Sequence, residues 1–244
     1  MTDTADAIVI GAGVIGAATA FELAKLGYRT LSVDRNAEAG HGSTSGSCAI
    51  IRVHYSTLDG TAFAYEGFFY WRDWADYLGV VDERGLATFR DVGCLVMKTE
   101  ANDHMANYIA HCDALGIPYE DWAPAKIVGR LPIYDMQAYY PAKRRDDPGF
   151  AEPTGDAIAG GVFFPTAGYV TDPALASHNL QRAAEAHGAR FRFNAPIVEI
   201  LRRDGRAAGV KLADGEELLA PVVINVGGPA SSQINEMAGV TGDM

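Results

Sequence analysis

The sequence predicts an α/β fold in which a glycine-rich turn joins a buried parallel strand to a helix, and three observations carry that prediction. Ala7-Ile8-Val9-Ile10 is an unbroken apolar, β-branched run, as expected of a parallel strand covered on both faces. Gly11-Ala12-Gly13-Val14-Ile15-Gly16 follows at once and opens a helical pattern from about Val14 to Leu26, with Gly27 at the helix C-cap position. A second short run, Thr30 to Val33, ends in Asp34.

Each part of this strand, turn, helix, strand and acid has a physical task. Gly11 makes the tight turn, Gly13 leaves the backbone bare for a pyrophosphate, and Gly16 lets the helix pack close to the strand. Val14 and Ile15 open the helix, whose free N–H groups and partial positive charge suit phosphates. Asp34 stands where a carboxylate accepts hydrogen bonds from the ribose hydroxyls of an adenosine. It would repel the 2′-phosphate of NADP, with Arg35 beside it as a partial offset. The unit points to a dinucleotide, FAD or NAD, since both use this turn.

The next segment separates the two. Gly40 to Ser47 is a hydroxyl-rich loop, and it feeds Cys48-Ala49-Ile50-Ile51-Arg52. An NAD dehydrogenase would normally go on directly to another helix and strand. Gly42, Ser43, Thr44 and Ser47 instead suggest hydroxyl and N–H donors for further phosphates or a flavin ring.

From Asp6 to Arg35, and again from Gly42-Ser43-Thr44 through Ile50-Ile51-Arg52, the sequence resembles the D-amino-acid oxidase and sarcosine oxidase superfamily. The resemblance implies FAD as cofactor and a Rossmann-like FAD-binding domain of the glutathione-reductase type, with a partial, inserted α+β substrate domain. It implies oxidation of a C–N bond in an amino acid or secondary amine (sarcosine-, glycine- or D-amino-acid-like) by hydride transfer to flavin. It also implies that Arg52 holds the substrate carboxylate. Read on its own, Arg52 is equally compatible with a surface or structural ion pair. Some relatives attach the flavin through a histidine in this loop. Thr44-Ser45-Gly46 stands there instead, with His41 before it and His54 after it as ordinary loop histidines, so non-covalent FAD is expected. Ser45 and Ala49 replace basic side chains of sarcosine-oxidase-like members, which argues against sarcosine itself.

The middle of the chain is less specific. Gly60 to Leu78 is dense in aromatics, with Phe63, Tyr70, Trp74 and Tyr77 near helical spacing, and reads as a helix packed into the core or as a source of a ring stacked on the cofactor. Gly93 to Met97 reads as a strand and Ala101 to Leu115 as a helix ended by Gly116. Tyr134 to Gly161, with Pro141, Pro148, Pro153 and the run Lys143-Arg144-Arg145-Asp146-Asp147, reads as an exposed insertion or long loop. The charge run is a solvated face, a lid or a subunit contact. Gly160 to Pro165 is a further strand. Tyr169 in Gly168-Tyr169-Val170 faces substrate or fills the core, and Asp172 caps a helix that starts at Pro173 and ends at Gly188.

Three short strands follow, Ile197–Leu201, Ala207–Leu212 and Glu217–Leu219, joined by Asp204-Gly205 and Asp214-Gly215 turns. In the family this meander crosses the nucleotide site, and the backbone at Val198 would touch the adenine. Pro221 to Val226 is a buried strand that the resemblance places beside the first one. Gly227-Gly228 would then approach the cofactor, or serve only to start the helix of about Ala230 to Ala238.

The chain has 244 residues, 48% of them hydrophobic, enough for a substantial core. A net charge of −11 disfavours nucleic acid and anionic membranes as partners. Cys48, Cys94 and Cys112 form no metal-ligand spacing, and no metal is expected. Met1 to Ala7 carries no signal-peptide pattern, so a cytoplasmic location is expected. The expected division is residues 1–90 and 171–244 for the FAD-binding domain and 91–170 for the substrate domain, with the remainder of the family fold absent after Met244. On that expectation the chain self-associates or takes a partner chain to complete the fold. Two further classes remain open at this point: a non-catalytic FAD-binding or electron-transfer subunit, and an NAD-dependent dehydrogenase.

Overall fold

The computed structural model describes residues 4–100, 102 and 104–240. The readings that rest on Met1–Asp3, Ala101 and Met244 lie outside these residues.

In chain order the elements are β1 (Ala7–Ile10), α1 (Val14–Lys25), β2 (Thr30–Val33), β3 (Ile50–Ile51), α2 (Leu58–Arg72), α3 (Trp74–Leu78), β4 (Phe89–Arg90), β5 (Cys94–Met97), α4 (Met105–Leu115), β6 (Glu120–Trp122), α5 (Pro124–Arg130), β7 (Gly161–Phe164), β8 (Gly168–Val170), α6 (Pro173–Ala186), β9 (Arg190–Arg192), β10 (Ile197–Arg203), β11 (Arg206–Leu212), β12 (Glu217–Leu219), β13 (Val222–Asn225) and α7 (Ser231–Met237). They form two compact units. One comprises the chain up to Ala49, Asp73–Phe89 and everything from Val170; the other comprises Ile50–Arg72 and Arg90–Tyr169. Residues 50–72 thus group with the second unit and not with the first ninety residues. The reason is local: Ile50 and Ile51 pair antiparallel with Tyr169 and Gly168, and α2 packs on α4.

The first unit is built on a parallel sheet in the order β13-β1-β2-β9. Ala7 pairs with both Val222 and Thr30, so the two expected neighbours flank β1 in register. The fourth strand, β9, was not foreseen. Its Arg-Phe-Arg sequence lacks an apolar run, and it is held by pairing Leu31, Ser32 and Val33 with Arg190, Phe191 and Arg192. One sheet face, with Ile8, Ile10, Leu31 and Val33, packs against Ile200, Val210, Leu212 and Leu218 of the antiparallel meander β10-β11-β12. Helices α1 and α6 pack together through small buried residues, Ala17, Ala20 and Ala24 on one, and Ala176, Ala183 and Ala184 on the other. Asp172 caps α6 by accepting the Leu175 N–H at 2.9 Å, and Pro173 fills the first helical position, where no N–H is needed.

The buried face of α6 is also polar, which apolar periodicity did not reveal. Asn179 accepts from the Ala87 N–H at 2.9 Å and the Trp74 indole at 3.3 Å, and it donates to Asp82 at 2.7 Å and the Gly85 carbonyl at 2.9 Å. One amide thereby ties α3 and the 82–87 segment to α6.

The second unit contains the antiparallel sheet β5-β7-β6. Trp122, Ile127 and Met136 form its core with Leu95, Met97, Ile158 and Phe163. Strand β6 escaped the sequence reading because two of its three residues are acidic. The aromatic stretch is not one core-packed helix: it breaks at Asp73 into α2 and α3. Phe68, Trp74 and Leu78 are buried, whereas Phe63 is 81% exposed. Residues 131–160 contain no helix or regular strand, as expected of a long loop. Its base is zipped by Ile158 N–H to Met136 O at 2.8 Å and Ala138 N–H to Asp156 O at 3.1 Å, and Lys143 to Asp147 are exposed. No helix among the described residues is long and apolar enough to cross a membrane.

Candidate functional site

The turn after β1 is dictated by close backbone approach. Gly11 has φ +107° and donates its N–H to Val33 O at 2.8 Å. A Cβ there would lie 2.5 Å from the Val226 carbonyl oxygen, and a Cβ on Gly16 would strike the Gly11 carbonyl. No residue but glycine fits either position without moving backbone. Val226 is itself fixed by donating to Ile10 O at 3.0 Å. Gly227 and Gly228 follow it into a 3-10 turn (Gly228–Ala230), and Gly228 has φ +57°.

The first turn of α1 has no acidic residue, and its N-cap, Gly13, offers no side-chain cap. First-turn N–H groups have no partner within a helix. Here the loop supplies one: the Thr44 hydroxyl accepts the Val14 N–H at 3.1 Å, and it lies 3.1 Å from where a Gly13 Cβ would be. The Ser43 hydroxyl lies 3.7 Å from the corresponding position on Gly228. Asp34, half-buried at the end of β2, accepts the Ala12 N–H on one oxygen at 2.7 Å and the Asn36 N–H on the other at 2.8 Å. Each oxygen keeps a second lone pair for another donor.

The structure therefore brings Gly11, Gly13, Val14, Gly16, Asp34, Ser43, Thr44, Gly227 and Gly228 to one end of the parallel sheet. Ile15 belongs to the same turn and is 69% exposed. Arg35, Gly42 and Ser47 are exposed, and the Ser47 hydroxyl turns back onto its own loop to accept the Ala49 N–H at 3.0 Å. Val198 lies exposed on β10. A helix whose first turn carries no carboxylate, with an anchored acid at the next strand end, fits an adenine dinucleotide.

The family model for FAD dependent oxidoreductases (DAO) matches residues 6–243. The chain belongs to the FAD dependent oxidoreductase family. Its cofactor is FAD, and the NAD reading falls away. A bifunctional protein of tRNA 5-methylaminomethyl-2-thiouridine biosynthesis (MnmC) from Pseudomonas entomophila is 27% identical over 229 residues, covering 91% of this chain and 29% of that protein. Among solved structures, an L-proline dehydrogenase from P. horikoshii superposes with a TM-score of 0.80 at 21% identity, covering 98% of this chain and 57% of its own. A glycine oxidase from Geobacillus kaustophilus gives 0.74 at 20% identity, covering 98% and 59%. The chain thus spans well under two thirds of the proteins it matches.

In the second unit, β3 leads to a corner that places Arg52 and Tyr55 on the outside and Val53 and His54 inside. The Arg52 guanidinium lies 4.7 Å over the Tyr55 ring. It makes no ion pair or hydrogen bond among the described residues, so the structural ion pair considered for it is not formed. His54 is not an ordinary loop histidine. It is 4% exposed and stacks on Phe164 at 4.5 Å, with Tyr108 at 5.3 Å. Its Nδ1 has no hydrogen-bond partner. Burial, with a smaller contribution from Arg52, holds its pKa down to about 4. Tyr169 pairs with Ile50 and is 42% exposed, so it does not fill the core.

Asp82, Glu83 and His178 lie close enough together to hold a metal ion, yet their bonding is already internal. Asp82 accepts from His178 and Asn179, each at 2.7 Å, and from the Arg84 N–H at 2.8 Å, while Arg182 grips Glu83 at 2.6 Å. Burial alone would raise the Asp82 pKa, but these donors leave it lowered. Glu83 is held down at about 2, chiefly by Arg182. This cluster braces α6.

Proposed function

We propose that this FAD-dependent oxidoreductase oxidises the C–N bond of an amino acid or secondary amine, with Arg52 holding the substrate carboxylate. The observation that carries the reading is the state of Arg52: an exposed guanidinium at a strand end, steadied on an aromatic ring and free of any carboxylate among the described residues. Such a group offers a planar fork of donors suited to bidentate carboxylate pairing.

The chain's own residues divide the remaining work. The N-terminus of α1, with Gly11, Gly13, Val14, Ile15 and Gly16, binds the pyrophosphate, and Ser43 and Thr44 add hydroxyl donors. Asp34 accepts from the ribose hydroxyls, Val198 offers backbone to the adenine, and Arg35, Gly42, Ser47, Gly227 and Gly228 line the cofactor. Bound FAD would supply the acceptor for the hydride lost from the carbon that carries the nitrogen. Holding the carboxylate at Arg52 orients that carbon and leaves the amine lone pair free to form the C=N bond. The names of the proline dehydrogenase and glycine oxidase support an amino-acid substrate. A net charge of −11 favours such a small molecule over the tRNA named in the MnmC relative. Three free cysteines agree with a reducing, cytoplasmic setting.

The test is Arg52→Ala in the FAD-loaded enzyme, assayed on amino acids and on the matching amines that lack the carboxylate. Losing one charge-assisted pair costs roughly 1.5–3 kcal/mol, so KM for amino acids should rise about tenfold to over a hundredfold. KM for the plain amines should stay put. Equal behaviour of both substrate types would sink the assignment, and an enzyme with bound FAD that turns over no amine would favour a non-catalytic, electron-transfer role. Acid precipitation should leave the flavin in the supernatant; flavin retained on a peptide with His41, Cys48 or His54 would overturn non-covalent binding.

A further inference from the structure

Within the second unit, the corner after β3 is held from the inside. Two consecutive side chains, Val53 (0% exposed) and His54 (4%), plunge into the unit, and the two that flank them, Arg52 and Tyr55, stay out. The backbone of Tyr55 is pinned as well: its carbonyl accepts from Thr61 Oγ1 at 3.3 Å and lies 3.2 Å from His111 Nδ1, and its N–H lies 3.3 Å from the same Thr61 oxygen. Arg52 therefore has one aromatic plate beneath it, and the height of that plate is set by how deeply the intervening residues are seated.

His54 is the odd member of this arrangement. It stacks nearly parallel on Phe164, with an interplanar angle of 26°, and tilts against Tyr108 of α4. It forms no hydrogen bond to any described residue, and its Nδ1 is buried. A buried polar atom without a partner opposes folding, so the ring is kept in place by aromatic packing and not by its nitrogens.

We infer that His54 is a positioning residue for Arg52: its ring, packed on Phe164 and Tyr108, fixes the corner that lays the Arg52 guanidinium on Tyr55 and so sets where an anionic substrate group is met. The inference rests on the assignment of Arg52 to the substrate carboxylate. It makes the aromatic stack, on the far side of the chain from the guanidinium, a determinant of carboxylate recognition.

The experiment compares His54→Ala, His54→Phe and Arg52→Ala in the FAD-loaded enzyme, with KM and kcat measured on an amino acid and on its decarboxylated amine. Removing the stack in His54→Ala should raise KM for the amino acid by about fivefold to tenfold, part of the effect of losing the charge-assisted pair outright. KM for the amine and kcat should hold. His54→Phe keeps a flat ring of similar size and should restore the wild-type KM. A His54→Ala enzyme that only melts earlier, with KM unchanged, overturns the inference, provided that Arg52→Ala does raise KM. A Phe variant as impaired as Ala also overturns it, because the nitrogens and not the stack would then be at work. If Arg52→Ala leaves KM unchanged, the assignment of Arg52 has failed first. Should His54→Ala fail to fold, Tyr108→Ala removes a second ring packed against His54 and is expected to shift KM in the same selective way; no shift there counts against the inference.

Discussion

At the glycine turn, the shape is set by side chains that are missing; at the Arg52 corner it is set by side chains that are packed. Gly11 and Gly16 lie so close to the Val226 and Gly11 carbonyls that a single methyl is excluded, and the ligand-facing surface is bare backbone. Around Arg52, by contrast, a cation rests on Tyr55 while His54 is buried behind it, stacked on Phe164. The first kind of site tolerates no addition, and the second tolerates exchange of like for like. Substitutions at each should therefore fail differently.

The largest effect is expected at Gly16. Gly16→Ala drives a Cβ into the Gly11 carbonyl, which must shift the turn, and should cost at least ~3 kcal/mol of stability together with FAD binding. Gly27→Ala provides the matched control. Gly16 has no positive φ, whereas Gly27 has one, +87°, with open space around its Cβ position, so only backbone strain of about 1 kcal/mol is expected at Gly27. Denaturant midpoints and FAD titration of the two variants measure the contrast. Similar losses in both would show that the close approach at Gly16 costs no more than the backbone strain at Gly27.

The second effect probes the packed corner through pH. His54 titrates near 4 in the folded protein and near its ordinary 6.5 when unfolded. Between those values the unfolded chain binds the proton and the folded one does not, so stability falls as pH drops from 6.5 towards 4. The loss is at most about 3 kcal/mol across that window. His54→Phe should remove this part of the acid sensitivity. Urea midpoints at several pH values between 7 and 4 decide it, and parallel curves for the two proteins would exonerate His54.

Asp34 is intermediate between the two designs, a charged side chain anchored wholly by backbone. Asp34→Asn keeps one carbonyl oxygen, so either the Ala12 or the Asn36 N–H loses its acceptor, and the ribose loses a charged one. A FAD affinity weaker by about tenfold, equivalent to ~1.4 kcal/mol, is expected. Calorimetric titration checks it, and an unchanged Kd would mean that Asp34 serves the turn alone.

The same contrast explains what could be read from the chain. The strand, glycine turn, helix and Asp34 were legible because each is a local rule with a fixed spacing, and β13 with Gly227-Gly228 was legible as a continuous apolar run, although the strand expected to be buried is only partly so and Val222 is exposed. Arg52 was marked as a candidate but not its support. Nothing local says that His54 is buried, since Phe164 and Tyr108 come from remote stretches. Strands β6 and β9 were missed because Glu120-Asp121-Trp122 and Arg190-Phe191-Arg192 become strands only when β7 and β2 offer them an edge. The break at Asp73 was hidden by an aromatic density that looked continuous.

The smallest effect tests whether the sheet beneath the turn carries polar cost that the turn does not need. Thr30 and Ser32 alternate with Leu31 and Val33 along β2, so their hydroxyls face away from the meander and towards the side where α1 packs. Both residues are 1% exposed, and neither hydroxyl has a hydrogen-bond partner among the described residues. An unpaired buried hydroxyl opposes folding, and replacing it with an apolar group of the same shape is neutral or stabilising. Thr30→Val preserves the branched outline, so it should raise stability by up to ~1 kcal/mol. Ser32→Ala should do the same less strongly, because it also removes volume. FAD affinity should not change, since Asp34 and the Gly11 N–H bond to Val33 O are untouched. The readout is the denaturant midpoint beside the FAD Kd. A Thr30→Val protein destabilised by more than about 1 kcal/mol would mean that the hydroxyl is bonded to an ordered water between sheet and helix, and β2 would then share the polar, position-specific design of the cofactor turn.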